Sequence, residues 1–248
     1  MRTRIVLVHG SRLSHTQWLP QVRHLEGEFD LALPDLPGHG TRVGERFTLE
    51  RAVGAIAAAV DPSPSAPAGP VVLVGHSLGG YAAMAYAGQF PRRLDGLVLV
   101  GSAAVPVGLG AAAYRGVAAL TDRAGPERMT RVNDRVLRRL YRPDLIDPVI
   151  AGGYYFGPTA AAWQEVMDRC RPGMLRSVTC PVLVTGGRFD QVAVQARRFA
   201  RAAPRGRAEL VPRAGHLVGL DQPERLADLV RAFAHSVEPA SDGRLDPP

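Results

Sequence analysis

Six short apolar runs alternate with segments of helical spacing along this chain, and the alternation restricts the possible folds more than any other feature. The runs cover residues 5–8, 31–33, 71–74, 97–100, 182–185 and 209–211. Apolar residues repeat at helical spacing over residues 18–25, 49–60, 79–90, 193–203 and 223–234. Runs this apolar are typical of parallel strands buried on both faces. The sequence therefore predicts an α/β fold, with a mostly parallel sheet of about six strands flanked by helices.

The chain is long enough for one such core, and we expect a single domain over residues 1–237. An insertion over residues 104–176 separates two strand runs and is helical in pattern, which fits a mobile lid or a purely structural cap equally well. The proline-rich residues 61–70 are predicted to form a surface loop. Residues 238–248 are predicted to be a disordered tail.

The motif Gly75-His76-Ser77-Leu78-Gly79 follows the third apolar run directly. A strand that turns abruptly into a helix holds the middle residue at a strained backbone angle, and side chains two positions away on either side would collide. Glycine at positions 75 and 79 avoids that collision. The pattern therefore predicts a nucleophile elbow with Ser77 at its tip.

A serine hydroxyl is a weak nucleophile, so it needs a base and a third group that holds the base in the correct tautomer. His216 follows a late strand in a flexible loop, and Asp190 lies just past the end of the run at 182–185. The carboxyl ends of parallel strands are where α/β sheets build their sites. We therefore predict Ser77 as nucleophile, Asp190 as acid and His216 as base.

Acyl transfer also requires donors for the developing oxyanion. The elbow supplies the backbone N–H of Leu78, and the turn after the first strand can supply the backbone N–H of Ser11. Both residues are predicted as oxyanion-hole donors.

With these residues in place, the chain resembles the α/β-hydrolase superfamily over residues 4–237. The resemblance is carried by His9-Gly10, the segment 35–40, the elbow, the loop 186–190 and Gly215-His216, which occur in the family's order. It implies the same roles for Ser77, Asp190 and His216. The β-hairpin that often begins the family is missing, as in plant methylesterase and hydroxynitrile lyase relatives. A proline that is common shortly after the acid is also absent, so the resemblance does not specify the conformation of the loop after Asp190.

Several aromatic side chains are candidates for lining a substrate pocket, although core packing explains each of them at least as well. They are Trp18, Tyr81, Tyr154, Tyr155, Phe156 and Trp163.

Five arginines of the insertion recur at helical spacing and are predicted to share one helix face. They are Arg128, Arg131, Arg135, Arg138 and Arg142. Arginine pairs well with phosphate and carboxylate, so this stripe could bind coenzyme A or an acyl-carrier protein. A solvated helix face in an arginine-rich chain explains the stripe too.

Composition narrows the remaining possibilities. All 30 basic residues are arginines and the net charge is +7, but no stacking aromatics are interleaved with them, so nucleic-acid binding is not expected. No run is long enough to span a membrane and the start lacks a signal-peptide pattern, so a cytoplasmic location is expected. Cys170 and Cys180 are expected to be reduced thiols, and no metal or organic cofactor is implied.

The expected activity is therefore hydrolysis of an ester, thioester or lactone through an acyl-enzyme on Ser77. Two alternatives remain open. The same scaffold can serve a lyase, a cyclase or a C–C bond hydrolase of secondary metabolism, because a fold does not fix the reaction. It can also serve as a non-catalytic small-molecule receptor. The sequence identifies neither the substrate nor the oligomeric state.

Overall fold

Six parallel strands form the centre of the computed structural model, which describes residues 2–61, 69–105 and 125–237. They are β1 (Arg4–Val8), β2 (Asp30–Ala32), β3 (Val71–His76), β4 (Gly96–Val100), β5 (Val182–Gly187) and β6 (Gly206–Val211). Their order is β2-β1-β3-β4-β5-β6, and every neighbouring pair is parallel. The predicted α/β fold is confirmed, with a sheet that is entirely parallel.

Helices cover both faces of this sheet. They are α1 (Leu19–Leu25), α2 (Leu49–Val60), α3 (Leu78–Gln89), α4 (Pro126–Leu140), α5 (Pro143–Ile150), α6 (Thr159–Arg169), α7 (Ala196–Ala202), α8 (Val218–Asp221) and α9 (Pro223–Ser236). Short 3-10 helices occupy His15–Trp18, Gly40–Arg42 and Pro172–Ser177. The five predicted helices are present. α7 begins three residues later than predicted, because the amide of Val192 bonds to the Asp190 side chain and the amide of Gln195 bonds to Ala103.

Alternate residues of the central strands enter two separate apolar layers, as the two-residue period of a strand requires. Leu73 and Leu97 face α2, α3, α6 and α7, whereas Val72 and Val98 face α1 and α9. Strands β1, β3, β4 and β5 are almost completely buried. Burial on both faces explains why their sequences are continuously apolar.

The two edge strands depart from that pattern. β2 has only three residues, and β6 begins at Gly206, three residues before the predicted run. The early part of β6 is exposed, with Arg207 paired to Glu209. Charged side chains on an edge strand oppose pairing with another chain, so an edge strand need not be apolar.

The insertion leaves the sheet after β4 and returns at β5. Residues 106–124 of it lie outside the described residues, whereas residues 125–176 contain α4, α5, α6 and most of the third 3-10 helix, in agreement with the predicted helical pattern. Ile146, Val149 and Ile150 of α5 pack on Leu13 and Leu220, which follow β1 and precede α9. The insertion therefore lies against the loops at the carboxyl ends of the strands.

Two predictions concern residues outside the described ones. The predicted disordered tail at 238–248 lies outside them entirely, and the predicted surface loop at 61–70 lies outside them over 62–68. Within the described residues, no helix is both long and apolar enough to cross a membrane.

Candidate active site

Ser77 occupies the sharp turn between β3 and α3. Its φ of 52° and ψ of −117° lie outside the regions that non-glycine residues favour, a strain of about 1–3 kcal/mol that the surrounding structure must hold. Its N–H donates to the carbonyl of Val100 at 2.8 Å, which ties the turn to β4. A Cβ on Gly75 would clash with the Gly79 carbonyl, and one on Gly79 would clash with the His9 carbonyl. The predicted need for both glycines is thus met by specific backbone contacts.

His216 and Asp190 complete a continuous hydrogen-bonded chain with Ser77. His216 Nε2 lies 3.0 Å from Ser77 Oγ, and His216 Nδ1 lies 3.0 Å from Asp190 Oδ1. The His216 side chain is partly exposed at 28%, whereas that of Asp190 is fully buried. The structure brings together the three residues that the sequence analysis selected for nucleophile, acid and base.

The electrostatics of Asp190 decide which nitrogen of His216 carries the proton. Burial alone would raise the pKa of Asp190, but hydrogen bonds from His216 and from the Val192 amide hold the pKa below its ordinary value. An ionised Asp190 accepts the Nδ1–H of His216. The lone pair on Nε2 then faces the Ser77 hydroxyl, which is the arrangement needed to remove its proton.

The two predicted oxyanion donors follow β1 and β3, which are neighbouring strands of the sheet. Leu78 is the first residue of α3, so its N–H has no partner within the helix. Within the part of the chain that the structure describes, neither the Leu78 amide nor the Ser11 amide has a hydrogen-bond acceptor. Both amides are therefore available to an anionic oxygen.

His9 orients the Ser11 amide, a role that the sequence analysis missed. His9 Nε2 accepts the Leu36 N–H at 3.0 Å, so Nδ1 carries the proton and donates to the Gly10 carbonyl at 2.7 Å. In a trans peptide the N–H points opposite to the preceding C=O. Fixing the Gly10 carbonyl therefore fixes the direction of the Ser11 N–H.

Side chains of the insertion contact the same loop. Trp163 Nε1–H donates to Ser11 Oγ at 3.3 Å, and the Tyr155 amide donates to the Arg12 carbonyl at 2.9 Å. The Phe156 ring lies 5.7 Å from the Arg12 guanidinium and stacks on Tyr154. The insertion aromatics therefore lie beside the predicted oxyanion donor.

Three of the predicted pocket residues, Trp18, Tyr81 and Trp163, are buried in the apolar core. Tyr81 is fully buried on α3, where its ring lies 5.9 Å from Trp163 and its hydroxyl bonds to Ala104. Trp18 packs in the apolar layer of α1 and α9, on the face of the sheet opposite Trp163. The prediction of Trp18 as a pocket residue is corrected by this placement.

The arginine stripe is shorter than predicted. α4 ends at Leu140, and Arg142 is the residue that precedes α5, so only four of the five arginines share a helix. Arg138 forms an ion pair with Asp147, and Arg142 forms one with Asp144. The other three, Arg128, Arg131 and Arg135, are exposed and have no ion pair within the described residues.

The described residues also bear on metal binding. These contain no group of three or more His, Cys, Asp or Glu side chains that could hold a metal ion. The sulfurs of Cys170 and Cys180 are free and buried, and burial raises the pKa of both thiols to about 12.

Because His9 and His76 are buried, we expect the fold to lose stability in mild acid. Burial lowers the pKa of His9 to about 3 and that of His76 to about 4, from an ordinary value near 6.5. Below pH 6.5 the unfolded chain therefore binds protons that the folded chain excludes. Each of the two histidines then lowers the free energy of unfolding by about 1.4 kcal/mol per pH unit. The free energy of unfolding in urea should fall steadily between pH 6.5 and 4.5. His76→Gln should reduce the slope of the free energy of unfolding against pH by the equivalent of about one proton. An unchanged slope in that variant would contradict a neutral, buried His76.

Comparisons with known proteins agree with the fold and extend over the site. A family model described as "Alpha/beta hydrolase family" matches residues 5–229. Carboxylesterase YbfK of Bacillus subtilis is 25% identical over 243 residues, covering 92% of this chain and 79% of that protein. A pimeloyl-[acyl-carrier protein] methyl ester esterase of Neisseria meningitidis is 26% identical over 260 residues, covering 97% and 80%. A solved thermophilic esterase from Thermogutta terrifontis has a TM-score of 0.74 and 29% identity, covering 94% and 89%.

Proposed function

Because the chain belongs to the alpha/beta hydrolase family, we propose that it is a serine hydrolase that cleaves an ester, thioester or lactone through an acyl-enzyme on Ser77. The observation that carries the proposal is the unbroken chain from Ser77 Oγ through His216 to Asp190, with both contacts at 3.0 Å. Nucleophile, base and orienting acid within hydrogen-bond reach are the arrangement that acyl transfer requires. Relatives named as esterases support the same bond class.

In the proposed reaction, Ser77 Oγ attacks the substrate carbonyl carbon while its proton passes to His216 Nε2. The carbonyl oxygen becomes an oxyanion that accepts the N–H groups of Ser11 and Leu78. When the tetrahedral intermediate collapses, the bond to the leaving group breaks and His216 returns the proton to that group. A water molecule then attacks the acyl carbon, with His216 again as base, and releases the acid and free Ser77. Losing one oxyanion donor costs about 3 kcal/mol in comparable sites.

A substrate panel tests this proposal. Wild type, Ser77→Ala and Ser102→Ala should be assayed against p-nitrophenyl esters, acyl thioesters and lactones. Ser102 is the matched control, because it is a buried serine just past the neighbouring strand β4, and its hydroxyl has no partner among the described residues. We expect activity in wild type and Ser102→Ala but not in Ser77→Ala. Turnover that survives Ser77→Ala would contradict the mechanism.

The same panel separates hydrolysis from lyase, cyclase or receptor behaviour. Assays in ¹⁸O-labelled water should place one labelled oxygen in the released acid, because water resolves the acyl-enzyme. Product without label would favour a lyase or a cyclase. A folded protein whose Ser77 resists a fluorophosphonate would favour a receptor.

A second proposal concerns the leaving group: the substrate is carried by an acidic acyl-carrier protein that docks on α4. The specific observation is the three exposed arginines without an ion pair among the described residues, Arg128, Arg131 and Arg135. They lie on the insertion, the segment that also contacts Ser11 through Trp163. The Neisseria meningitidis relative is named for an acyl-carrier protein ester. Charge complementarity of this kind raises association rates and weakens with salt.

Charge reversal on α4 tests the docking proposal. Arg131→Glu combined with Arg135→Glu should raise KM for an acyl-carrier protein ester about tenfold at low salt, because like charges now oppose docking. The KM for a free p-nitrophenyl ester should change less than twofold. Arg197→Glu with Arg201→Glu on α7 is the control, with the same spacing and charge change on exposed arginines. Equal effects on both substrates, or in both variants, would rule the proposal out.

A further inference from the structure

Two buried side chains, those of Gln17 and His76, connect the oxyanion loop (residues 9–12, which follow β1 and carry the Ser11 amide) to the backbone of His216. The Gly10 amide donates to Gln17 Oε1 at 2.9 Å, and Gln17 Nε2 lies 2.9 Å from His76 Nδ1. His76 Nε2 in turn lies 2.9 Å from the carbonyl oxygen of His216. His76 is 3% exposed and Gln17 is 8% exposed, so water does not compete freely for these bonds.

The ends of this connection fix the direction of every hydrogen bond in it. A carbonyl oxygen only accepts, so His76 Nε2 must carry the proton that binds the His216 carbonyl. Nδ1 of His76 is then an acceptor, and the Gln17 amide must present its NH₂ group to it. The Gln17 oxygen is left facing the Gly10 amide, which only donates. Each group therefore has one satisfied orientation, and turning any one of them would leave buried polar atoms unpaired.

Close packing holds the same groups in place. The rings of His76 and His216 lie 4.9 Å apart between centroids, at an angle of 43°. A Cβ added to Gly10 would come within 2.7 Å of His76 Nδ1, so only glycine allows this approach. His76 is also the residue that immediately precedes Ser77, at the end of β3. One side chain thus contacts the oxyanion loop and the predicted base while its backbone leads into the predicted nucleophile.

We propose that Gln17 and His76 are positioning residues that hold the His216 backbone, and with it the imidazole, at hydrogen-bonding distance from Ser77. The inference rests on the proposed function for its kinetic consequences. Neither residue touches the reacting atoms, so the pair acts through His216 and through the Gly10 turn. Small displacements of a base are costly, since misplacement by about 1 Å can reduce a rate by about 10²-fold.

A double-mutant cycle tests the kinetic consequence. Gln17→Leu and His76→Leu should each lower kcat about tenfold to a hundredfold, with KM changed less than twofold. The double variant should be no more than about twofold worse than the worse single variant, because the two residues act as a unit. His76→Gln retains an N–H donor for the His216 carbonyl and should recover most of the loss. Gln21→Leu, which removes another buried glutamine that bonds to a backbone carbonyl, should leave kcat within twofold.

A second readout does not depend on activity. In protein labelled with ¹⁵N-histidine, His76 should carry its proton on Nε2 and remain neutral from pH 7.5 to 5.5. The His216 ring signals should shift or broaden in Gln17→Leu but not in Gln21→Leu. These spectra test the positioning proposal even if Ser77 proves not to be a nucleophile, whereas the substrate panel tests Ser77 alone.

Three outcomes would overturn the inference. The first is a His76 protonated on Nδ1, since the direction of the bonds would then be wrong. The second is a kcat within twofold of wild type in folded His76→Leu or Gln17→Leu together with unchanged His216 signals. The third is losses that multiply in the double variant, which would indicate two independent structural roles.

Discussion

Replacing His216 with glutamine is expected to lower kcat for an ester substrate by about five to six orders of magnitude, comparable to loss of the base in a serine protease. Without the imidazole, the Ser77 hydroxyl keeps its proton and remains a weak nucleophile. The lost stabilisation corresponds to about 7–8 kcal/mol of activation free energy. Stopped-time assays with a p-nitrophenyl ester at high enzyme concentration can measure the residual rate.

His235→Gln is the matched control for this variant. His235 lies on α9 and pairs with Glu28 at the surface, and among the described residues it has no hydrogen bond or ring contact with Ser77, Asp190 or His216. Its kcat should stay within twofold of wild type. His216→Gln that retains more than about 1% of wild-type kcat would show that another group removes the Ser77 proton.

Asp190→Asn is expected to lower kcat by about 10⁴-fold at pH 7, as when the acid of a comparable triad is neutralised. Asp190 Oδ1 accepts both the His216 Nδ1–H and the Val192 N–H. An asparagine that turns its NH₂ group toward His216 would favour the tautomer with the proton on Nε2. That proton faces Ser77, so the ring could no longer act as a base. The kcat should be compared between pH 6 and 9.

Asp95→Asn controls for the loss of a buried carboxylate. Asp95 lies at the opposite, amino-terminal end of the strands, where its carboxylate accepts the Val71 amide. This variant should lose stability in urea while its kcat changes little. If Asp190→Asn kept kcat within tenfold of wild type, a different group would have to orient His216.

The sheet and the three central site residues could be predicted from the sequence because both depend on strand burial. Strands β3 and β4 are buried on both faces, so they appear as uninterrupted apolar runs. Ser77, Asp190 and His216 each follow the carboxyl end of a strand, and in a parallel sheet those ends share one edge. Only the end of β6 could be predicted, because the first residues of this edge strand are exposed and polar.

The end of the helix before Arg142 could have been predicted from the proline that follows this residue. Pro143 disfavours helical backbone at the residue before it, and Arg142 is extended with ψ of 145°. The helical spacing of the arginines continued through a point where the helix ends. The placement of Trp18 could not have been predicted in this way. A periodic pattern identifies the buried face of a helix, but it does not show which side of the sheet that helix packs on.

The Gln17 and His76 contacts could not be predicted from local pattern at all. The two residues are 59 positions apart, and His76 meets the His216 carbonyl across 140 positions. The sequence shows His76 only as the residue that precedes Ser77. Only the assembled fold places its Nε2 against the backbone of the predicted base.

If Ser77 is the nucleophile, a fluorophosphonate should label it stoichiometrically. Intact mass and peptide mapping should be followed together with esterase activity in wild type and Ser77→Ala. We expect one phosphonyl group per chain, located on Ser77, with activity lost in proportion to labelling and no label in Ser77→Ala. Label on another residue, or full activity in a chain whose Ser77 is labelled, would show that Ser77 is not the nucleophile.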